Sequence, residues 1–168
     1  MQPMTHSDLD MVLAIQHKAH QPFFYESRAA FSSRLNLFPA GCWIETRGSR
    51  AAGYLVSHPW SLSNPPELHA QPTSLPKIPD CFYVHDLAVD PNFHGGGIGQ
   101  DLAEKALSLS RAYNEQFSIR ATALIAIGDS FSFWTDLGFR QLNALSPATK
   151  KKLVFYGNNA RLMVRNIP

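Results

Sequence analysis

The stretch from Cys81 to Leu109 limits the possible folds more than any other part of the chain. Cys81–Val89 is the most apolar of the strand candidates and is rich in β-branched and aromatic residues. It runs through Asp90-Pro91-Asn92-Phe93 into the glycine run Gly95-Gly96-Gly97-Ile98-Gly99. From there Ile98, Leu102, Ala106 and Leu109 recur at the spacing of one helix face. A strand that feeds glycines into a helix start makes an anion site: backbone N–H groups point outward, the helix dipole adds positive potential, and glycine lets a phosphate come close. Two familiar phosphate motifs do not fit. A P-loop ends in Gly-Lys-Ser/Thr, whereas Gly99 is followed by Gln100-Asp101. A dinucleotide fingerprint needs a further glycine where Gly95-x-Gly97 meets Gln100, and no acid about 20 residues on closes a following strand.

Around this junction the chain reads as short alternating elements. An extended lead over Met1–Met4 precedes a helix, with a capping box available from Ser7 with Asp10 or from Thr5 with Asp8. Met11, Val12, Ile15 and Ala19 form its apolar stripe, and Pro22 stops it. A second helix is predicted from about Glu26 to Leu37, with Ala30, Phe31, Leu35 and Phe38 inward and Pro39-Ala40-Gly41 at its end. Cys42–Thr46 and Ala51–His58 flank Arg47-Gly48-Ser49-Arg50 as a hairpin. Residues 59–80 hold six of the twelve prolines (Pro59, Pro65, Pro66, Pro72, Pro76, Pro79), so no regular element is expected there. Trp60, Leu62 and Leu68 give that stretch apolar anchors, which favours an ordered cover over a tether. A strand over Ser118–Ile127, a short helix around Ser130–Leu137, a strand over Phe139–Leu142, a polar lysine-bearing loop and a strand near Arg161–Asn166 follow. The order describes an α/β domain of the α+β type, with a mixed, mostly antiparallel central sheet flanked by helices.

The charge sum excludes one class of partner. Fifteen Lys and Arg against thirteen Asp and Glu leave +2, and the basic residues are scattered, so duplex DNA is not the ligand expected. At 168 residues the chain suits one domain over 1–168 that needs no metal or disulfide for its core. No apolar run approaches the roughly 20 residues that span a bilayer, and MQPMTHSDLD does not read as a signal peptide. Cys42 and Cys81 fit neither metal-site nor CxxC spacing. The expectation is a cytoplasmic domain, monomer or homodimer, with no metal, no nucleic acid and no membrane among its partners.

His94-x-x-Gly97-x-Gly99, one turn after Leu87-Ala88-Val89-Asp90-Pro91, resembles the coenzyme A pyrophosphate loop of the GNAT acetyltransferase superfamily, whose pattern is Gln/Arg-x-x-Gly-x-Gly/Ala. Phe133-Trp134-Thr135-Asp136-Leu137-Gly138-Phe139 is similar to that family's second motif, where Phe-Tyr-x-x-x-Gly-Phe is usual. A weaker echo is of the aralkylamine (serotonin-type) N-acetyltransferases, whose strand reads His-x-Leu-Ala-Val, as in His85-Asp86-Leu87-Ala88-Val89. The hairpin that carries Gly41-x-Trp43 and ends in Ser57-His58-Pro59-Trp60 is similar in layout too.

The resemblance implies the GNAT acyl-CoA N-acyltransferase fold, splayed between the strands at about 81–89 and 118–127. It implies acetyl-CoA as cosubstrate and direct attack by a primary amine in a ternary complex. A small aromatic or apolar amine is the acceptor expected. A peptide or protein N-terminus, a lysine, or a non-catalytic coenzyme A binder are the alternatives. By the same resemblance, backbone N–H groups of Leu87, Ala88 and Val89 serve the thioester. His94, Gly95, Gly96, Gly97, Ile98, Gly99 and Gln100 form the phosphate cradle, and Ser130, Phe133 and Trp134 complete the cofactor side. Two residues depart from the pattern: His94 stands where Gln or Arg is usual, and Trp134 replaces a tyrosine used as general acid.

Strand alternation puts Cys81, Tyr83, His85, Leu87 and Val89 on one face and Phe82, Val84, Asp86 and Ala88 on the other. Two histidines form a proton relay at the Tyr83 and His85 positions of the aralkylamine enzymes. That match implies His85 as general base, directly or through water, with Tyr83 as relay or acceptor-positioning group. A histidine pKa of about 6.5 suits the task; the alternative is a hydrogen-bonded structural histidine. Asp86, a carboxylate in a central strand, must be paired. It fixes an arginine or a turn, or binds a cationic amine. Tyr156 and Tyr83 are the candidates for the missing acid. Phe23, Phe24, Tyr25 and Trp60 are candidates to line the acceptor site, and Glu26 is either an ammonium partner or a favourable acid at a helix start.

Two decoys stand apart. Ile127-Gly128-Asp129-Ser130-Phe131 imitates the nucleophile block of GDSL-type esterases, but their Asp-x-x-His is absent and the last histidine is His94. His17-x-x-His20 has metal-ligand spacing without a carboxylate or thiol at a suitable offset, so both histidines are expected on an exposed helix face.

Overall fold

Among the described residues seven stretches pair as strands: β1 (Gln2–Pro3), β2 (Cys42–Arg47), β3 (Arg50–Trp60), β4 (Cys81–Val89), β5 (Ala121–Ala126), β6 (Arg140–Gln141) and β7 (Arg161–Asn166). A computed structural model describes residues 1–167; Pro168, the last residue of the domain expected over 1–168, lies outside them. The sheet order is β1-β2-β3-β4-β5-β7-β6. Every neighbouring pair is antiparallel except β4 and β5. A parallel pair needs a crossover, and the helix α3 (Ile98–Phe117) supplies it. Helices α1 (Leu9–Ala19) and α2 (Arg28–Leu37) cover the opposite face of the sheet from α3 and α4 (Ser130–Asp136).

Local chemistry sets the element ends. The Asp8 carboxylate accepts from the Thr5 N–H at 2.7 Å and its hydroxyl at 2.8 Å, so the Thr5–Asp8 register, not Ser7–Asp10, opens α1. The buried stripe is Leu9, Val12, Ile15 and Gln16, and Met11, expected inward, is exposed. Ser27 accepts from the Ala30 N–H at 3.2 Å and starts α2 two residues after Glu26. Gly53 lets α3 lie close on β3: a Cβ there would stand 2.9 Å from the Ala88 carbonyl oxygen and 3.0 Å from Ile98 and Leu102 side-chain carbons. That contact fixes where the glycine run meets the sheet.

Four expectations change. Strand β3 continues through Pro59 to Trp60; the pairing with β2 has ended at Val56, so proline, which donates no hydrogen bond, sits where β3 has one neighbour. The strand expected over Ser118–Ile127 starts at Ala121, after Ser118 closes α3 at φ +54°. Only Arg140–Gln141 pairs within the strand expected over Phe139–Leu142. The lysine-bearing loop contains a further helix, α5 (Pro147–Val154), capped by Ser146 with proline in its first turn.

The alternation along β4 fails at one residue. Val56 faces Asp86 and Ser57 faces Val84, so His85 is the extra residue of a β-bulge. Past it the faces exchange. Leu87 and Val89 pack toward α3, while Tyr83, His85, Asp86 and Ala88 share the other side. His85 and Asp86, expected on opposite faces, therefore work on the same one.

Candidate active site

Strands β4 and β5 pair only from Cys81 with Ala121 to Val84 with Leu124. Beyond that the sheet opens into a cavity of ≈ 1120 Å³. It runs from the glycine run and the start of α3, past β4 residues 84–89, to the α1–α2 connection and residues 156–160.

At the glycine end the walls are mostly backbone. Gly95 and Gly97 have φ of +79° and +78°, and a Cβ on either would meet nothing within 4 Å. The glycines thus supply a left-handed backbone and leave open space against the first turn of α3, which suits an anionic group. Asp90 fixes the approach to this loop. Its carboxylate accepts from Asn92 N–H at 3.0 Å, capping a 3-10 turn over Pro91–Phe93, and pairs with Lys18 at 2.7 Å. Those bonds, Lys18 first, hold it below the usual carboxylate range. Phe133, Trp134 and Phe139 form an edge-to-face stack under the loop, with Phe133 against Gly99. The His94 ring turns back to the Val89 carbonyl at 3.3 Å, and Gly96 does not line the cavity. Ser130, expected on the cofactor side, lines the cavity and donates its hydroxyl to the Ile127 carbonyl at 2.7 Å.

At the other end the walls are side chains. His85 Nε2 lies 2.6 Å from Glu26 Oε2, and Glu26 also accepts from His69 N–H at 2.9 Å. The buried Gln16 amide holds the Glu26 backbone through both its N–H and carbonyl, at 2.7 and 3.1 Å. Burial would raise the Glu26 carboxyl, but His85, Arg34 and the His69 N–H outweigh it and hold it at about 2. Glu26 is thus the partner of His85 and not a free ammonium site. An ionised Glu26 requires His85 to donate from Nε2, and its Nδ1 is buried without a partner. The lone pair of the neutral His85 ring therefore lies on the buried Nδ1, so the proton acceptance expected of His85, direct or through water, has no exposed nitrogen to act through.

Asp86 makes the neighbouring pair. It accepts from Tyr54 O–H at 2.6 Å and lies 3.0 Å from His20 Nε2. Burial opposes its charge, yet His20 and Tyr54 hold it below the usual range. The partner is a histidine and a tyrosine, where an arginine, a turn or an amine was expected. His20 lines the cavity instead of standing on an exposed face; His17 packs on Tyr25, ring centroids 4.5 Å apart.

Other expected residues separate. Tyr83 is buried beside His58 and His85 and does not line the cavity; burial raises its phenol well above the ordinary value, as it does for Tyr156. Tyr156 lines the cavity but donates to the Pro66 carbonyl at 2.9 Å, so its proton is committed to structure. Tyr25 donates to the His17 carbonyl, and Trp60 lines a separate small depression with Pro66, Glu67 and Lys152. Neither reaches the acceptor end, whereas Phe24 and Leu68 do. Arg34 and His58 were not foreseen. Arg34 is 1% exposed, bonds Ala30 and Ala70 carbonyls at 2.9 Å and lies 3.6 Å from Glu26. Burial, His85 and Arg34 push His58 down to about 3, so it stays neutral. No group of three or more His, Cys, Asp or Glu among the described residues is placed to hold a metal ion.

A family model described as the acetyltransferase (GNAT) family matches residues 9–130. No curated protein matches the chain in sequence. Solved structures match it in fold. A GNAT-like decarboxylase, GphF, in complex with isobutyryl-CoA superposes with a TM-score of 0.76 at 16% identity, over 98% of this chain and 97% of that one. Ard1 from Thermoplasma volcanium gives 0.71 at 19% identity, over 99% and 96%. The ribosomal-protein-S18-alanine N-acetyltransferase from Escherichia coli gives 0.66 at 17%, over 99% and 92%.

Proposed function

The chain belongs to the GNAT acetyltransferase family, and from that premise we propose that it transfers an acetyl group from acetyl-CoA to the primary amine of a small, apolar or aromatic acceptor. One observation carries the reading. A single cavity joins an anion-binding glycine loop to two histidine–carboxylate pairs through the gap between β4 and β5. Acyl transfer to an amine needs N–H donors for the thioester oxygen, a neutral nucleophile and a destination for its proton. The loop and the start of α3 bind the anionic end of the cosubstrate. The β5-facing backbone of β4 past Val84 has lost its strand partner and faces the gap, where it serves the thioester. The bulge sets the two histidine–carboxylate pairs at the far end.

The acceptor's size follows from the cover. Leu68 of the 61–80 strip lines that end together with Phe24. The cover is tied down through carbonyls of Ser63, Pro65, Pro66 and Ala70, which accept from Thr149, Lys152, Tyr156 and Arg34. Leu68 and Phe24 beside the histidine–carboxylate pairs suit a small apolar or aromatic amine. A protein N-terminus is the second reading, favoured by the exposed Phe23, Val154 and Phe155 on the segments beside Phe24 and Tyr156. Thiol release and product mass with acetyl-CoA against arylalkylamines, polyamines and short peptides decide between them. Turnover of arylalkylamines supports the first reading, and turnover of peptides alone supports the second. Acetyl-CoA binding without turnover of any amine marks a non-catalytic binder.

A further inference from the structure

The two histidine–carboxylate pairs of the acceptor end differ in what they leave free. In the His85–Glu26 pair, Nε2 is engaged and Nδ1 is sealed in the interior. In the His20–Asp86 pair the ring is tied by Nε2 alone. Asp86 is ionised and already accepts the Tyr54 proton on its other oxygen, so His20 Nε2 must be the donor and the lone pair of the neutral ring lies on Nδ1. The His20 side chain keeps 18% of its surface exposed against 3% for His85, and its Nδ1 is not among the buried atoms lacking a partner. His20 lines the cavity beside Asp86. We propose that Nδ1 of His20, its ring held by Asp86 and Asp86 held by Tyr54, takes the proton released by the acceptor amine.

The inference rests on the acyl-transfer reading and assigns its base. The acceptor nitrogen bonds to the thioester carbonyl carbon, one N–H proton passes to Nδ1, and the C–S bond breaks with its electron pair going to sulfur. The imidazolium then returns its proton to solvent and the thiolate takes one, so amine and thioester give amide and thiol. The surroundings favour the charged ring. The titratable groups around it are Asp86 and its neighbour His85 on β4, Tyr54 on β3 and Glu26 in the α1–α2 connection; Lys18, on its own helix, is spent on Asp90. His20 also caps the C-terminus of α1, where the helix dipole favours a cation. Burial alone would push His20 down, but Asp86 and Glu26 outweigh it and hold the ring above the ordinary histidine value. Asp86 and Tyr54 are positioning residues. Histidine-for-base logic of this kind needs an orienting carboxylate to fix the tautomer.

The test combines kinetics with imidazole NMR on the full chain, using the best amine of the panel. His20→Gln is expected to lower kcat/KM at least about a hundredfold, to abolish the acid limb of the pH profile and to leave the Kd for acetyl-CoA within about twofold. Asp86→Asn removes the attraction that favours the imidazolium, so the acid limb moves to lower pH and the plateau falls. In the unaltered protein, the His20 ring should carry its neutral-form proton on Nε2 and titrate at the pH of the kinetic limb. That measurement stands even where a variant does not fold. A His20→Gln protein within about fivefold of full activity and with the same limb overturns the proposal. So does an Nδ1–H tautomer, or a His20 titration parted from the limb. If the unaltered protein acetylates no amine, the acyl-transfer reading itself falls and the assignment with it, a result distinct from an active enzyme indifferent to His20.

Discussion

The two ends of the cavity are made of different material. At the cosubstrate end, glycines at φ of +79° and +78°, a helix start and the unpaired edge of β4 present backbone. At the acceptor end, Glu26, Arg34, His85, Asp86, Tyr54 and His20 are linked by side-chain hydrogen bonds and ion pairs. A backbone site is robust to side-chain change and recognises what all acyl-CoA molecules share. A side-chain network is sensitive to every member and recognises what differs. Substitutions at the two ends should therefore separate stability from cosubstrate binding.

The largest effect is expected from Arg34→Ala, which removes one partner of a buried ion pair and a bond to the cover at Ala70. Unfolding by urea should show a loss of roughly 3–5 kcal/mol. The acetyl-CoA affinity of the protein that remains folded should stay within about threefold. A large loss of affinity instead would show that the two ends are one unit.

Glu26 gives the next effect, through pH. Its folded-state value of about 2 lies below the ordinary 4.5, so its contribution is full above that ordinary value and is lost as pH falls toward 2. The span corresponds to about 3 kcal/mol. Urea midpoints for the protein and for Glu26→Gln should converge as pH falls from 6 to 2, with the variant nearly flat across the part this group supplies. Parallel slopes would remove Glu26 from the acid sensitivity of the acceptor end.

Gly97→Val tests the cosubstrate end. A β-branched residue at φ +78° should cost at least about 1–2 kcal/mol of stability and, by crowding the N–H groups, weaken acetyl-CoA about tenfold or more in calorimetry. The KM for the amine should hardly move. Tyr156→Phe, the smallest change, loses one hydrogen bond to Pro66, about 1 kcal/mol. It should raise the KM for the amine with kcat within a few fold; a collapse of kcat would return Tyr156 to the chemistry.

The same division explains what was legible in the sequence. Glycine at a positive φ, a strand before it and a helix period after it leave a local record, so the loop and the mixed sheet could be read directly. The bulge at His85 leaves none. In Cys81–Val89 no residue marks which position is extra, and strict alternation sends Asp86 to the wrong face. Arg34 was readable in principle, since it falls on the stripe of Ala30, Phe31, Leu35 and Phe38 where a charge demands a partner. His20 was hidden by its position at the last turn of α1, where the chain leaves helical geometry and turns the ring inward. Helix α5 was missed because Thr149 is its one buried residue, so no apolar stripe announces it.

The cover over residues 61–80 is fastened by its own peptide carbonyls at Ser63, Pro65, Pro66 and Ala70. Every amino acid carries that group, so these clasps do not depend on which residues occupy the strip; the side chains of Asn64 and Glu67, which also meet Lys152, are the exception. The receiving donors on Thr149, Lys152, Tyr156 and Arg34 are the constrained half of the bond. Mutation can therefore rewrite the inward face of the strip, Leu68 first, without unfastening it. Acceptor choice becomes a property that drifts or is engineered at low structural risk, while the frame that holds the cosubstrate stays as it is.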